Sequence, residues 1–191
     1  TYNRFVGRSY IAIHAEGGMV REWGDGTTAN SGTINGIPRY QRFWLGGDTQ
    51  GPRVFESRTI SPLRYVVIDE NTGQIVEVLG DPTGRPVGDF LSSGNIPVVI
   101  EVGGDRYFLL QTEVVYPFNE QADLALFVDV GDSLFEDQSL GFDTARVSAG
   151  VELRFHLPVF PVPLRLIYGW PIRKLERDRT SSFTFSIGRS F

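Results

Sequence analysis

The chain has 191 residues, enough for a sizeable core, with 41% hydrophobic residues, 21% charged residues and a net charge of −5. The acidic balance gives a nucleic-acid partner no electrostatic footprint, and the absence of cysteine excludes disulfide frameworks, thiol catalysis and cysteine-based zinc sites. No stretch approaches the ~18 consecutive apolar residues of a membrane-spanning helix, whereas 22 Gly, 14 Phe, 7 Tyr and 3 Trp against a single Met point to β structure with many turns.

In chain order, the first residue is Thr1, which reads as a processed chain or a piece of something longer. A first strand is predicted over residues 5–15, with Phe5, Ile11 and Ile13 opposing Arg8 and His14. A long connection follows, residues 16–106. It carries the glycine-rich stretch 46–51, a small hairpin of 65–68 and 74–78 around Asp69-Glu70-Asn71-Thr72-Gly73, and a turn at Asp81-Pro82-Thr83-Gly84. A connection of this size without dominant structure of its own is usually functional or disordered.

Residues 107–116 place Phe108, Leu110, Val114 and Tyr116 on one side and Gln111 and Glu113 on the other. Leu124, Leu126, Val128 and Val130 then oppose Ala125, Phe127, Asp129 and Gly131. From 145 to 157 the alternation is complete: Ala145, Val147, Ala149, Val151, Leu153, Phe155 and Leu157 against Arg146, Ser148, Gly150, Glu152, Arg154 and His156. A run of that length, at ~3.4 Å per residue, reaches roughly 44 Å, as a tilted bilayer-crossing strand requires. Leu164, Leu166, Tyr168, Trp170 and Ile172 oppose Arg165, Ile167, Gly169 and Pro171; Phe183, Phe185 and Ile187 oppose Thr184, Ser186 and Gly188; the sequence ends at Phe191.

The connections alternate in length. Those at 117–122 and 158–163 are short, and those at 132–143 and 173–181 are longer, which is the up-and-down pattern of an outer-membrane barrel with its short turns on the periplasmic side. Aromatics at predicted strand ends (Tyr116, Phe118, Trp170, Phe191) fit interfacial girdles. A soluble sandwich or lipocalin-like barrel shows the same alternation with the apolar face inward, and pattern alone does not say which face is wet. Strand length, loop alternation and the terminal phenylalanine favour the membrane barrel.

Enzyme signals are weak, and no catalytic residue, cofactor or metal site is expected. His14 and His156 fall on polar strand faces without a paired ligand motif and read as solvated or hydrogen-bonded residues. The pairs Gly17-Gly18, Gly46-Gly47 and Gly103-Gly104 lack the spacing of phosphate loops, nucleophile elbows or calcium loops. A sharper constellation is Arg53 in the glycine-rich loop with Glu113 and Asp129 on the inward faces of two strands, where a loop arginine can make charge-assisted hydrogen bonds with both carboxylates. Spacing alone favours three unrelated surface charges.

Gly46-Gly47 followed by Pro52-Arg53-Val54-Phe55 resembles the loop signature G-G … [V/I]-R-G-[F/Y] of the outer-membrane-protein insertase superfamily of the BamA type. The approach from Ile37 to Leu45, the pieces Thr112-Glu113-Val114, Phe127-Val128-Asp129-Val130-Gly131, Val147-Ser148-Ala149-Gly150 and Pro163-Leu164-Arg165-Leu166, and the β-signal-like ending from Phe183 to Phe191 are similar to segments of that family in the same order. The resemblance implies an all-β antiparallel transmembrane β-barrel, with residues 1–191 as the C-terminal six or so strands of a sixteen-stranded barrel and 46–105 as a long extracellular loop entering the lumen. POTRA domains are absent from this sequence, and the remaining strands come from upstream sequence or another chain.

The resemblance further implies that Gly46, Gly47, Arg53 and Phe55 form the lumen-loop motif, with Glu113 and Asp129 as wall partners. The last strand (Phe183, Phe185, Ile187, Gly188, Phe191) then forms a seam at which unfolded client proteins are inserted into the bacterial outer membrane. Lipid bilayer and lipopolysaccharide, clients and accessory lipoproteins are the implied partners. Two other readings are a two-partner-secretion-type translocating pore of the same superfamily and a soluble β-sandwich binding domain. One departure stands out: Val54 occupies the place of the motif glycine.

Overall fold

The computed structural model describes residues 2–6, 9–21, 33–34, 37–73, 75–80, 95–139, 141–158 and 161–188. Its strands are β1 (Tyr2–Val6), β2 (Ser9–Met19), β3 (Thr33–Ile34), β4 (Ile37–Pro38), β5 (Leu63–Asp69), β6 (Ile75–Gly80), β7 (Asn95–Glu101), β8 (Arg106–Asn119), β9 (Ala122–Leu134), β10 (Arg146–Phe155), β11 (Leu164–Arg173) and β12 (Phe183–Ile187). The main sheet is antiparallel in the order β1-β2-β8-β9-β10-β11-β12, so β1 and β12 are its edges and the sheet is not closed on itself. No helix among the described residues is long and apolar enough to cross a membrane.

Two expectations change. The single strand over residues 5–15 is two strands: β1 ends at Val6, β2 begins at Ser9, and they pair as a hairpin with Phe5 opposite Tyr10. The main sheet therefore has seven strands, within the six or so expected. The long connection also has more structure of its own than expected, with a β3–β4 hairpin and a three-stranded sheet ordered β6-β5-β7. The expected hairpin around Asp69 is its β5–β6 pair. Asp69 closes that turn: its Oδ1 accepts from the backbone N–H of Asn71 at 2.8 Å and of Thr72 at 2.9 Å. These N–H groups hold the exposed carboxyl below the usual aspartate pKa. The expected turn at 81–84 and the terminal Phe191 lie outside the described residues.

Register sets which residues share a face. Gln111 and Ser148 flank Asp129 from the two sides, Glu113 lies opposite Phe127, and Phe127 lies opposite Gly150, which in turn faces Gly169. Side chains on this face are buried beneath the connection between β4 and β5. On the other face Leu126 is 54% exposed, Val128 48% and Trp170 51%. The charged members of the alternation, Glu113, Asp129, Glu152, Arg154 and Arg165, are buried, and the exposed members are apolar. A soluble sheet has these reversed, because burial of apolar area drives folding in water. The apolar clusters on the covered side are correspondingly small: Val54, Phe127 and Ile167 form one, and Leu45, Phe55 and Ile60 another.

Candidate functional site

The covering segment is residues 45–60, closed at its base by reciprocal backbone hydrogen bonds between Leu45 and Ile60, 2.9 and 3.1 Å. Gly46 and Gly47 have φ of 118° and 95°, in the left-handed region that disfavours any side chain. A Cβ at Gly46 would lie 2.1 Å from the Glu56 carbonyl oxygen, so the paired glycines let the chain double back on itself. Phe55 is buried against Leu45 and Ile60 and fixes the loop base. Arg53, two residues earlier, projects onto the sheet.

Arg53 is 1% exposed. Its Nε and Nη2 donate to the two oxygens of Asp129 at 2.9 and 2.8 Å, and its backbone N–H donates to Asp129 Oδ2 at 3.0 Å. Nη1 donates to Glu113 at 3.0 Å and to Glu152 at 2.9 Å. The guanidinium plane lies over Phe127, 4.1 Å from the ring centroid. Burial by itself lowers the arginine pKa, but the three carboxylates outweigh it and hold the group above its usual value.

The structure thus brings together Arg53, Glu113 and Asp129, and adds a carboxylate that sequence reasoning did not single out. Glu152 is fully buried and accepts from three arginines: Arg53, Arg154 Nε at 2.7 Å, and Arg165 through Nε at 2.7 Å and Nη2 at 3.0 Å. Arg154 also donates to Glu113 at 2.5 Å. Arg165 continues to Asp48 at 3.2 Å, and Asp48 accepts from the Ser186 hydroxyl on β12. The charged network therefore runs from β8 to the last strand. Because the groups are buried and mutually paired, removing one partner leaves an uncompensated charge, at a cost of about 3–5 kcal/mol.

Val54, at the place where the resembled loop signature has glycine, is buried and packs with Phe127 and Ile167. Its φ is not positive, so the backbone does not require a glycine there. Space comes from the sheet instead. A Cβ at Gly169 would lie 2.8 Å from Val54 Cγ2, and a Cβ at Gly150 would lie 2.8 Å from Phe127 Cζ. Facing glycines on β10 and β11 form a trough for the Phe127 ring and the Val54 side chain.

Phe183, Phe185 and Ile187 of β12 are all more than half exposed on the apolar face. The strand stops at Ile187 and Gly188 follows with φ of 142°, so the change of direction sits on a residue without a side chain. His14 pairs with Glu16 and His156 with Asp123, each away from the Arg53 network.

Residues 3–191 match the Omp85 superfamily domain. Among solved structures, the chain is similar to BamA from Haemophilus ducreyi lacking POTRA domains 1-3, with a TM-score of 0.60 at 18% sequence identity. The match covers 93% of this chain and 31% of that one, so the chain spans about a third of the length of the BamA it matches. The architecture, the loop and the family match agree: this chain belongs to the Omp85 superfamily.

Proposed function

We propose that the chain is part of the wall of a barrel in the bacterial outer membrane that folds β-barrel clients and inserts them at a seam along β12. The inverted sheet carries this reading: Leu126, Val128, Trp170 and Phe185 are exposed while Asp129 and Glu152 are fully buried. In water such an apolar face is an aggregation liability, whereas against lipid it is the stable arrangement. Family membership and the likeness to a BamA barrel support it. The charged face then lines the lumen with the 45–60 loop docked on it. Other strands, from upstream sequence or another copy, complete the barrel, since unpaired backbone in lipid costs several kcal/mol per group.

The partners on this reading are the bilayer with its lipopolysaccharide, unfolded outer-membrane clients and accessory lipoproteins. Neither chemical catalysis nor a cofactor takes part; a client strand adds to the β12 edge by main-chain hydrogen bonding. A cysteine pair locking β12 to the strand that faces it in the assembled barrel should abolish client insertion. Full insertion by the locked barrel would overturn the seam. A pore of the two-partner-secretion type would go on threading soluble clients while locked.

A further inference from the structure

The backbone parity of β12 identifies which of its groups face the open edge. Ser182 O accepts from Gly169 N at 3.0 Å and Gly188 N donates to Pro163 O at 3.0 Å, so the even-numbered residues turn their N–H and C=O toward β11. The odd-numbered residues face the other way, and among the described residues no strand of the main sheet lies on that side. Just above β12, that side is already occupied by the lumen loop. Ser181 N donates to Val54 O at 2.9 Å and Glu56 N donates to Arg179 O at 3.0 Å, which together make an antiparallel bridge between Phe55 and Thr180. One step lower, the Ser181 hydroxyl donates to Phe183 O at 2.7 Å.

We infer that residues 54–56 are an edge cap: they occupy the upper part of the terminal strand's open edge, so that an incoming β-strand pairs only along the lower part, at Phe185 and Ile187. The cap is held by the groups around it. Arg53 on one side is fixed by three carboxylates, and Phe55 is fixed in the loop base. On the opposite side of the terminal strand, Pro171 ends the β11–β12 pairing at the same level. By the same parity its backbone nitrogen faces away from β10, where the next donor to the terminal strand would be, and proline has none. The buried network around Arg53 thereby acts on the seam as a register stop, and the partner it meters is an extended strand of another polypeptide.

This inference rests on the reading of β12 as the insertion seam, and the experiment separates the two. Single cysteines at Thr180, Phe183, Phe185 and Ile187 in the full-length protein are tested for disulfide trapping of a stalled β-barrel client carrying one cysteine in its terminal strand. Trapping is expected at Phe185 and Ile187 and not at Thr180. Glu56→Pro removes the amide that bonds Arg179 O, and should raise trapping at Thr180 about fivefold, the population change that one net hydrogen bond supports. Ser181→Ala uncaps Phe183 O without a backbone change and should raise trapping at Phe183 by a similar factor. Trapping at Thr180 equal to that at Phe185 in the parent, or no gain in either variant, overturns the cap. If no position traps client, the seam reading fails, and the cap is judged by hydrogen exchange of the Glu56 and Ser181 amides in client-free protein. Slow exchange supports it, and exchange at the rate of an open loop overturns it.

Discussion

Val54 seats its Cγ2 where Gly169 has no side chain, 2.8 Å from the place a Cβ would take. The loop thus carries a side chain at this position, with the room supplied by the sheet. Gly169→Ala should destabilise the assembled barrel by about 1–3 kcal/mol through overpacking, read as a shift in the urea-unfolding midpoint. Adding Val54→Gly should restore only part of that loss, because the Ala149 carbonyl oxygen is also 2.8 Å from the same Cβ position. An unshifted midpoint in Gly169→Ala would contradict the trough.

Glu152 joins three arginines, so its charge matters more than its size. Glu152→Gln keeps the shape, removes the charge, and should cost about 3 kcal/mol or more. Arg53→Ala and Asp129→Ala should each be of similar severity, and their combination should fall short of the sum by more than ~0.5 kcal/mol. Strict additivity in a double-mutant cycle would mean that the observed ion pair contributes no coupling.

Much of this network was legible in the sequence, for a definite reason. Alternation over 107–116 and around 124–131 assigns faces, and it places Glu113 and Asp129 on the inward faces of their strands before any register is known. Glu152 stood on the same polar face but could not be distinguished from its neighbours. Its position under Arg53 depends on pairing Glu152 with Ala125 and Glu113 with Phe127, an offset that one strand's pattern does not contain. The two trough glycines were also illegible as such, because their role is defined by Phe127 crossing from the next strand. The break between β1 and β2 is hidden in the sequence because Phe5, Ile11 and Ile13 share one strand parity across it, with Gly7 and Ser9 as weak local turn signals.

Lipid contact and water contact give opposite results for one substitution. Leu126 is on the exposed apolar face, and Leu126→Arg should cost about 2–4 kcal/mol if that position meets the bilayer interior. On a hydrated surface the same change stays within about 0.5 kcal/mol. Equilibrium unfolding from lipid vesicles measures the difference directly.

Acid should loosen the β5–β6 turn through Asp69. Its carboxylate accepts two backbone N–H bonds, so its folded pKa lies below that of the unfolded chain. The stabilisation is then complete above the unfolded value of ~3.9 and is lost as pH falls through the lower folded value. A carboxyl-carbon NMR titration of Asp69 should show a midpoint below ~3.9. A midpoint at or above it would mean that the turn does not hold the charged form.

Insertion of β-barrel clients at the β12 edge is open to a decisive assay. The most direct measurement reconstitutes the full-length protein in lipid vesicles and offers it an unfolded β-barrel client and, separately, a soluble secreted passenger. The barrel client should become membrane-integrated and heat-modifiable in electrophoresis, while the soluble passenger stays on the side of addition. Transfer of the soluble passenger across the bilayer without integration of the barrel client would contradict client insertion.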